Sequence, residues 1–351
     1  MTHKKHRKGA DKQKAPVGPA AKGPAAAAGT PDSPPSLLSA ARSAEEAMAA
    51  IRRLMEGQEF ASIEEANQFL ESLLASGGGM LPSLAPETDV ERAQDVMYEA
   101  WGANNRKKRI DLAKYALEIS PDCADAYVLL AQETAKNPYE RARLYEQGVQ
   151  AGERALGKEF FDEEAGNFWG LIETRPYMRA RLGLASALWG IAERRAAIEH
   201  AYELLRLNPG DNQGVRYVLL EWLLAEGRND EAGALLESYE DDASAGWMYA
   251  RAIHGLRTEG RSARVDELLR EALEENPHVP SYLLSEKAIP EQLPATVQLG
   301  GESEAMEYVE AGYGTWYFTP GALEWLREVW GSEGVRSRRA TRDRPTGPAM
   351  P

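Results

Sequence analysis

The chain has one cysteine, Cys123, so it cannot close a disulfide within itself. A single thiol fits a reducing compartment. Long apolar runs are missing too: the longest uncharged stretch between the charged ends, residues 72–86, is interrupted by glycine and proline and is too short to span a bilayer. The basic N-terminus is followed by alanine, proline and glycine instead of the leucine-rich core of a secretory signal. These absences predict a soluble, cytoplasmic protein without a membrane partner.

Histidine is scarce as well, with five in the chain. The three outside the N-terminal segment are His200, His254 and His278, and none has the HExxH or Cys-x-x-Cys spacing that brings metal ligands onto one face. Carboxylates are abundant, but runs such as 162–164 and 241–242 are typical of solvated surfaces, whereas a general acid needs a protected carboxyl with a raised pKa. We therefore predict no metal, no cofactor and no enzymatic activity.

Charge is unevenly distributed around the formal net value of −14. Residues 1–36 form a basic segment rich in alanine and proline, and residues 335–351 form a second basic segment with five arginines against one aspartate. Such compositions cannot bury enough apolar surface to fold, so we predict two disordered tails. The remaining chain carries a net charge of about −23, which repels phosphate backbones. Nucleic-acid contact is therefore expected only through the tails.

Apolar residues between the tails follow the helical period. Residues 37–76 show it twice, which predicts a pair of helices, and the glycine- and proline-rich residues 77–88 predict a linker. Three prolines, Pro121, Pro209 and Pro277, then end similar helical segments. The last two are 68 residues apart, which is twice the 34-residue period of the tetratricopeptide repeat. The first two are 88 residues apart, which corresponds to two units and an insertion of 20.

This period predicts an all-α fold, a tetratricopeptide-repeat-like right-handed superhelix (an α-solenoid) with disordered termini. Five repeats are expected in residues 89–279, with an insertion at about 158–177, and capping helices in residues 280–334. Small residues such as Ala185 and Ala197 stand where paired helices would cross. The insertion carries four aromatic side chains within ten residues. It either packs inward on neighbouring repeats, which we expect, or presents a contact surface.

Several segments between about residues 89 and 330 resemble a bacterial group of tetratricopeptide proteins related to the suppressor of tumorigenicity family. They include LEISPDCADAYVLLA, LYEQGVQAGERALG, FWGLIETRPYMRARLGLASALW, LLRLNPGDNQGVRYVLL, DDASAGWMYARA and NPHVPSYLL. The resemblance implies a helical-repeat fold without established catalytic activity, and it carries over no site residue. Animal members of that family look membrane-associated, but no spanning segment is visible in this sequence.

Candidate partner-binding residues come from the repeat register, because first helices line the concave face of such a superhelix. These positions hold Tyr98, Gln132, Arg179, Ser186, Trp189, Arg216, Trp247, His254 and Arg257. Arginine and tryptophan dominate binding hot spots, so we predict a groove in which Arg179 and Arg216 bind carboxylates of a partner peptide. Several of these side chains, Trp189 in particular, could equally belong to the core.

The function that the sequence predicts is a non-catalytic protein-interaction scaffold that binds a partner peptide or protein of unknown identity through the concave surface. One alternative is a regulatory or enzyme-associated subunit with a small-molecule pocket near the insertion. RNA binding is a third interpretation, but it requires a base-reading pair that recurs in every unit, and these positions hold unrelated residues.

Overall fold

The computed structural model describes residues 37–76, 86 and 88–342. In these ranges the secondary structure consists of sixteen α-helices and two short 3-10 helices, without any strand. The all-α fold class is confirmed. The predicted tail at residues 1–36 lies outside the described residues, as does most of the predicted linker.

The α-helices follow one another through short connections over most of the chain. They are α1 (Leu37–Met55), α2 (Ile63–Ser76), α3 (Asp89–Gly102), α4 (Arg106–Ile119), α5 (Ala124–Glu133), α6 (Pro138–Leu156), α7 (Lys158–Glu163), α8 (Arg175–Gly190), α9 (Arg194–Leu207), α10 (Val215–Ala225), α11 (Asn229–Ser238), α12 (Ala245–Glu259), α13 (Ala263–Glu275), α14 (Val279–Leu283), α15 (Glu302–Tyr317) and α16 (Ala322–Arg342). Five packed helix pairs result: α3/α4, α5/α6, α8/α9, α10/α11 and α12/α13.

Local sequence sets many of the helix ends. Thr88 begins α3 with a capping box: its hydroxyl accepts from the Glu91 backbone N–H, and its own N–H donates to the Glu91 carboxylate. Asn137 caps α6, and Pro138 takes the first helical position, where no N–H is needed. The same helix ends at Gly157, whose φ of 81° favours glycine. The helical pairs are therefore specified by short-range chemistry.

Small residues allow α6 and α8 to approach closely. A Cβ on Gly152 would lie 2.7 Å from the Cβ of Tyr177, and one on Gly183 would lie 2.2 Å from the ring of Tyr145. Such distances are far inside van der Waals contact, so only glycine fits at either position. The second and third helix pairs thus interlock, although the insertion separates them in the sequence.

The insertion packs inward. It consists of α7 followed by 3-10 helices at Phe168–Gly170 and Ile172–Thr174. Phe168 is fully buried, and the rings of Phe161 and Tyr177 lie 5.2 Å and 6.2 Å from it. The Thr174 hydroxyl donates to the carbonyls of Leu171 and Phe168, which holds the turn closed. The aromatic side chains of this segment therefore complete the core between repeats.

At the C-terminal end, α15 lies parallel to α12. The backbone N–H of Ala245, at the start of α12, donates to the Glu304 carboxylate at 3.0 Å, and near its end Arg257 donates to the carbonyl of Thr315. Helix α16 packs against α13, and the indole N–H of Trp325 on α16 donates to Asp266 on α13 at 2.7 Å. Helices α15 and α16 therefore form a sixth pair on the end of the stack.

The last helix continues to Arg342. It thus runs eight residues beyond residue 334, the last residue before the predicted tail, while residues 343–351 lie outside the described part of the chain. No proline lies between Pro320 and Pro345, and arginines suit the final turns of a helix because they face the negative end of its dipole.

The N-terminal pair is attached less firmly than the repeats. Helix α2 has no buried residue, and α1 packs mainly on α3 and on the second 3-10 helix. Among the helices of the described ranges, none has the length and apolar character that crossing a bilayer requires.

Candidate functional site

The candidate site is the surface formed by the first helix of each pair, which we call the first-helix face: α3, α5, α8, α10 and α12. Side chains link these helices in order. The Gln94 amide on α3 donates to Asp125 on α5 at 2.8 Å, and Asp125 pairs with Arg179 on α8. Further along, Trp189 on α8 stacks on Trp222 of α10, with ring centroids 4.7 Å apart and an interplanar angle of 8°.

Arg179 lies at the centre of a buried ion cluster. Its guanidinium donates to Asp125 at 2.9 and 2.6 Å and to Glu45 at 2.8 and 2.8 Å, with bidentate geometry to both carboxylates. The Asp125 side chain is 0% exposed and that of Glu45 is 6% exposed. Burial alone would lower the pKa of Arg179, but the two carboxylates outweigh burial and raise it. The arginine therefore stays charged, and four of its five N–H donors are already used.

Glu45 belongs to α1, so this helix covers part of the first-helix face. Along α1, Arg53 donates to Asp95 of α3 at 2.7 and 3.1 Å, and Arg52 pairs with Glu91. The small side chain of Ala49 packs with the predicted site residue Tyr98, which is 9% exposed. Helix α1 thus lies over the amino-terminal halves of α3, α5 and α8.

A cavity of about 70 Å³ remains beneath α1. Mostly apolar side chains line it, including Ala49, Tyr98, Ile172 and Tyr177. Cys123 also lines it, and burial, with a further contribution from Asp125, raises the pKa of this thiol to about 12. The packing between α1 and the repeats is therefore incomplete.

Arg216, the second arginine predicted to bind partner carboxylates, pairs within the chain. Its guanidinium donates to Asp211 at 3.0 Å and to Asp242 at 2.9 Å. Asp242 was expected to be solvated, yet its side chain is 8% exposed. Hydrogen bonds from Ser244, Tyr217 and Arg216 outweigh the effect of burial and lower the pKa of Asp242. This arginine joins the loops around α10 instead of presenting free donors.

Three other predicted site residues lie in the packing between repeats. Trp247 is fully buried, with Tyr217 and Tyr239 against it, so it cannot contact a partner in this conformation.

His254 and Arg257 also make contacts within the chain. The His254 ring is 2.9 Å from the carbonyl of Asn229. Arg257 donates to the Leu224 carbonyl at 2.6 Å and to Thr315 of α15. Burial lowers the pKa of Arg257 despite the nearby Glu221. Repeat register alone could not reveal the contact of Arg257 with Thr315, because α15 returns from later in the chain.

The remaining predicted residues are more accessible. Gln132 on α5 and Ser186 on α8 are exposed. Trp189 is half-buried, with Trp222 on one face and the Arg194 guanidinium 3.9 Å from its ring centroid. These three residues are the part of the predicted set that a partner can reach directly.

Sequence reasoning missed two carboxylates with unusual surroundings. Asp125 was hidden in the first turn of α5, where acidic residues are common on exposed surfaces. Glu221 on α10 has an Oε2 atom that is buried without a hydrogen-bond partner, and burial raises its pKa to about 7. Gly312 of α15 lies against it, because a Cβ there would be 3.2 Å from Glu221 Oε1.

Comparison with known proteins agrees with the resemblance seen in the sequence. The ST7 protein family model matches residues 84–167. Suppressor of tumorigenicity 7 protein-like from Bos taurus is 30% identical over 269 residues, covering 70% of this chain and 48% of the relative, and the Mus musculus protein is 31% identical over the same lengths. Suppressor of tumorigenicity 7 protein from Macaca fascicularis is 27% identical over 286 residues, covering 68% and 53%.

The chain spans about half the length of the curated relatives it matches. These relatives are animal proteins, so the bacterial grouping stays a prediction. The crystal structure of YrrB, "a TPR protein with an unusual peptide-binding site", aligns with 54% of this chain and 93% of its own at 19% identity and a TM-score of 0.39. The repeat architecture of this chain rests on the packing of its own helix pairs.

Proposed function

We propose that this chain is a non-catalytic scaffold that binds a protein partner on the first-helix face. The observation that carries the proposal is the bidentate contact between Arg179 and Glu45, two residues 134 positions apart. Helix α1 is not part of the repeats, and yet it lies across three of them through an arginine–carboxylate pair. The face therefore has the chemistry to hold a helix that presents a carboxylate to Arg179.

The accessible part of the face has a composition suited to binding. On α5 and α8 the accessible residues are Gln132, Ser186 and the half-buried Trp189. Helix α10 adds Tyr217 and Val218, each 36% exposed. A polar rim around a large aromatic side chain is typical of protein interfaces. Arg216, Trp247, His254 and Arg257 are used in internal contacts, so in this proposal they support the face and do not contact the partner.

A small-molecule function is the second candidate, favoured by the cavity beneath α1. Four residues of the insertion region line it: Ile172, Glu173, Pro176 and Tyr177. Its volume of about 70 Å³ is small beside the roughly 300 Å³ at which ligand sites begin. The cavity as it stands holds at most a few atoms, which favours the protein partner.

Photo-cross-linking from defined positions tests the proposal. A photoreactive amino acid replaces Gln132 or Ser186 in the full chain, and the matched control replaces Arg195, whose side chain on α9 is 90% exposed. In a lysate of the host, we expect the first two positions to give the same discrete protein adduct and the control to give none. Equal adducts from all three positions would contradict the proposal, and adducts that nuclease removes would indicate RNA instead.

A further inference from the structure

We propose that α1 is an internal competitor for the partner site, and that a partner helix replaces it by presenting the same pattern of side chains with a larger apolar residue in the place of Ala49. The inference rests on the proposed function and specifies the chemistry of the partner. The pattern is a carboxylate, an aliphatic residue four positions later, and basic residues seven and eight positions later.

The pattern follows from the contacts of α1. Glu45, Ala49, Arg52 and Arg53 are at positions i, i+4, i+7 and i+8, which share one face of a helix. The carboxylate meets Arg179, and Arg175 lies 3.8 Å away on the same side. The basic end of the helix meets acidic side chains of α3. Charge therefore fixes both the direction and the register of any helix bound here.

The cavity shows that α1 fills this site incompletely. Ala49 contributes only a methyl group at the point where about 70 Å³ stays empty. The lining at that point is mainly apolar. An aliphatic side chain in place of Ala49 would bury its added methylene groups there, at the usual gain for each group removed from water. A helix from a partner can thus bind more tightly than α1 does.

Helix α1 is also held by few apolar contacts, which makes replacement feasible. Among its described side chains, those of residues 44–55, the buried apolar ones are Ala49 and Leu54. Helix α2, which follows, buries no residue and adds no anchor. At the other end of α1, the bidentate pair of Arg53 with Asp95 is half-buried, with side chains 11% and 36% exposed, so charge and not apolar packing holds this end.

Labelled synthetic peptides of residues 37–55 test the inference by fluorescence anisotropy on the full chain. The receptor chains are the unchanged chain, Glu45→Lys, which places a like charge against Arg179, and the control Glu46→Lys, which makes the same change at an exposed neighbour. Because tethering gives α1 a local concentration on the order of millimolar, we expect the unchanged peptide to bind the Glu45→Lys chain at least about tenfold more tightly than the other two chains. Equal binding to all three chains overturns the inference.

The peptides themselves test the pattern. On the Glu45→Lys chain, a peptide carrying Ala49→Leu is expected to bind at least about fivefold more tightly than the unchanged peptide, and one carrying Glu45→Lys at least about tenfold more weakly. A weaker Ala49→Leu peptide overturns the assignment of the cavity. If cross-linking at Ser186 captures a partner equally well in the unchanged chain and in the Glu45→Lys chain, the proposed function stands and the competition by α1 is refuted. If neither chain gives an adduct while the peptides bind selectively, the competitor site stands and the proposed function fails.

Discussion

Replacing Arg179 with methionine tests the role of the buried ion cluster most directly. The change keeps an unbranched apolar stem and removes the guanidinium, with its four hydrogen bonds to Glu45 and Asp125. Removing one partner of a buried ion pair costs about 3–5 kcal/mol, because the other charge stays desolvated. Glu45 can regain water by release of α1, whereas Asp125 is 0% exposed inside the repeats. We therefore expect a loss at the lower end, about 3 kcal/mol.

Urea unfolding followed by circular dichroism measures this loss, with Arg195→Met as the control at an exposed position. Repeat arrays can unfold in parts, so hydrogen exchange should show where the loss falls. We expect lower protection in α1 and α5 and unchanged protection in α12 and α13. The double variant Arg179→Met, Asp125→Asn should recover most of the stability, because the repeats then hold no unpaired buried charge and Glu45 regains water when α1 is released. A loss below about 1 kcal/mol for Arg179→Met, or a double variant as unstable as the single one, would refute this account of the cluster.

The remaining predictions concern the buried groups of the stack. Burial raises the pKa of Glu221 to about 7, against 4.5 for an ordinary glutamate, so ionisation of this side chain disfavours the folded state. The free energy of unfolding should therefore fall by up to about 3 kcal/mol as the pH rises from 4.5 to 7, and then level off. Glu221→Gln should remove this part of the pH dependence in urea unfolding series from pH 4 to pH 8; identical pH profiles for both chains would count against it. Phe168→Ala should lower the free energy of unfolding by about 3–5 kcal/mol, because it leaves a cavity in the insertion. Phe160→Ala should cost less, because Phe160 is only half-buried. Equal small losses would show that the insertion is not part of the core. Cys123 is 1% exposed, and burial raises the pKa of its thiol to about 12. A thiol reagent at pH 8 should therefore label it at least about a hundredfold more slowly in the folded chain than in urea. Rapid labelling of the folded chain would contradict the burial of Cys123.

Much of the fold could be predicted from the sequence because its signals are local. Helical periodicity and the spacing of Pro121, Pro209 and Pro277 depend on residues within one or two repeats. The aromatic side chains of the insertion were expected to pack inward on composition alone, and Phe168 does so. The predicted start of the C-terminal tail rests on basic composition alone, whereas α16 extends to Arg342.

The predicted site residues differ in how accessible the structure leaves them, and the differences share one cause. Repeat register located the first-helix face, on which Gln132 and Ser186 are exposed. It could not show that Trp247 is closed in by tyrosines from neighbouring segments, or that Arg257 is bound by α15. Whether a residue of a first helix faces solvent depends on which distant segment lies over it.

The sequence by itself determined that this chain is a stack of helix pairs. It also determined that Arg179, on the first helix of the third pair, is suited to binding carboxylates. Only the tertiary structure decided which carboxylates these are. Glu45 is 134 residues away from Arg179, and Asp125 is 54 residues away. Local patterns carry no information about such pairings, because they arise when separate helices are desolvated together and a buried charge must find its partner.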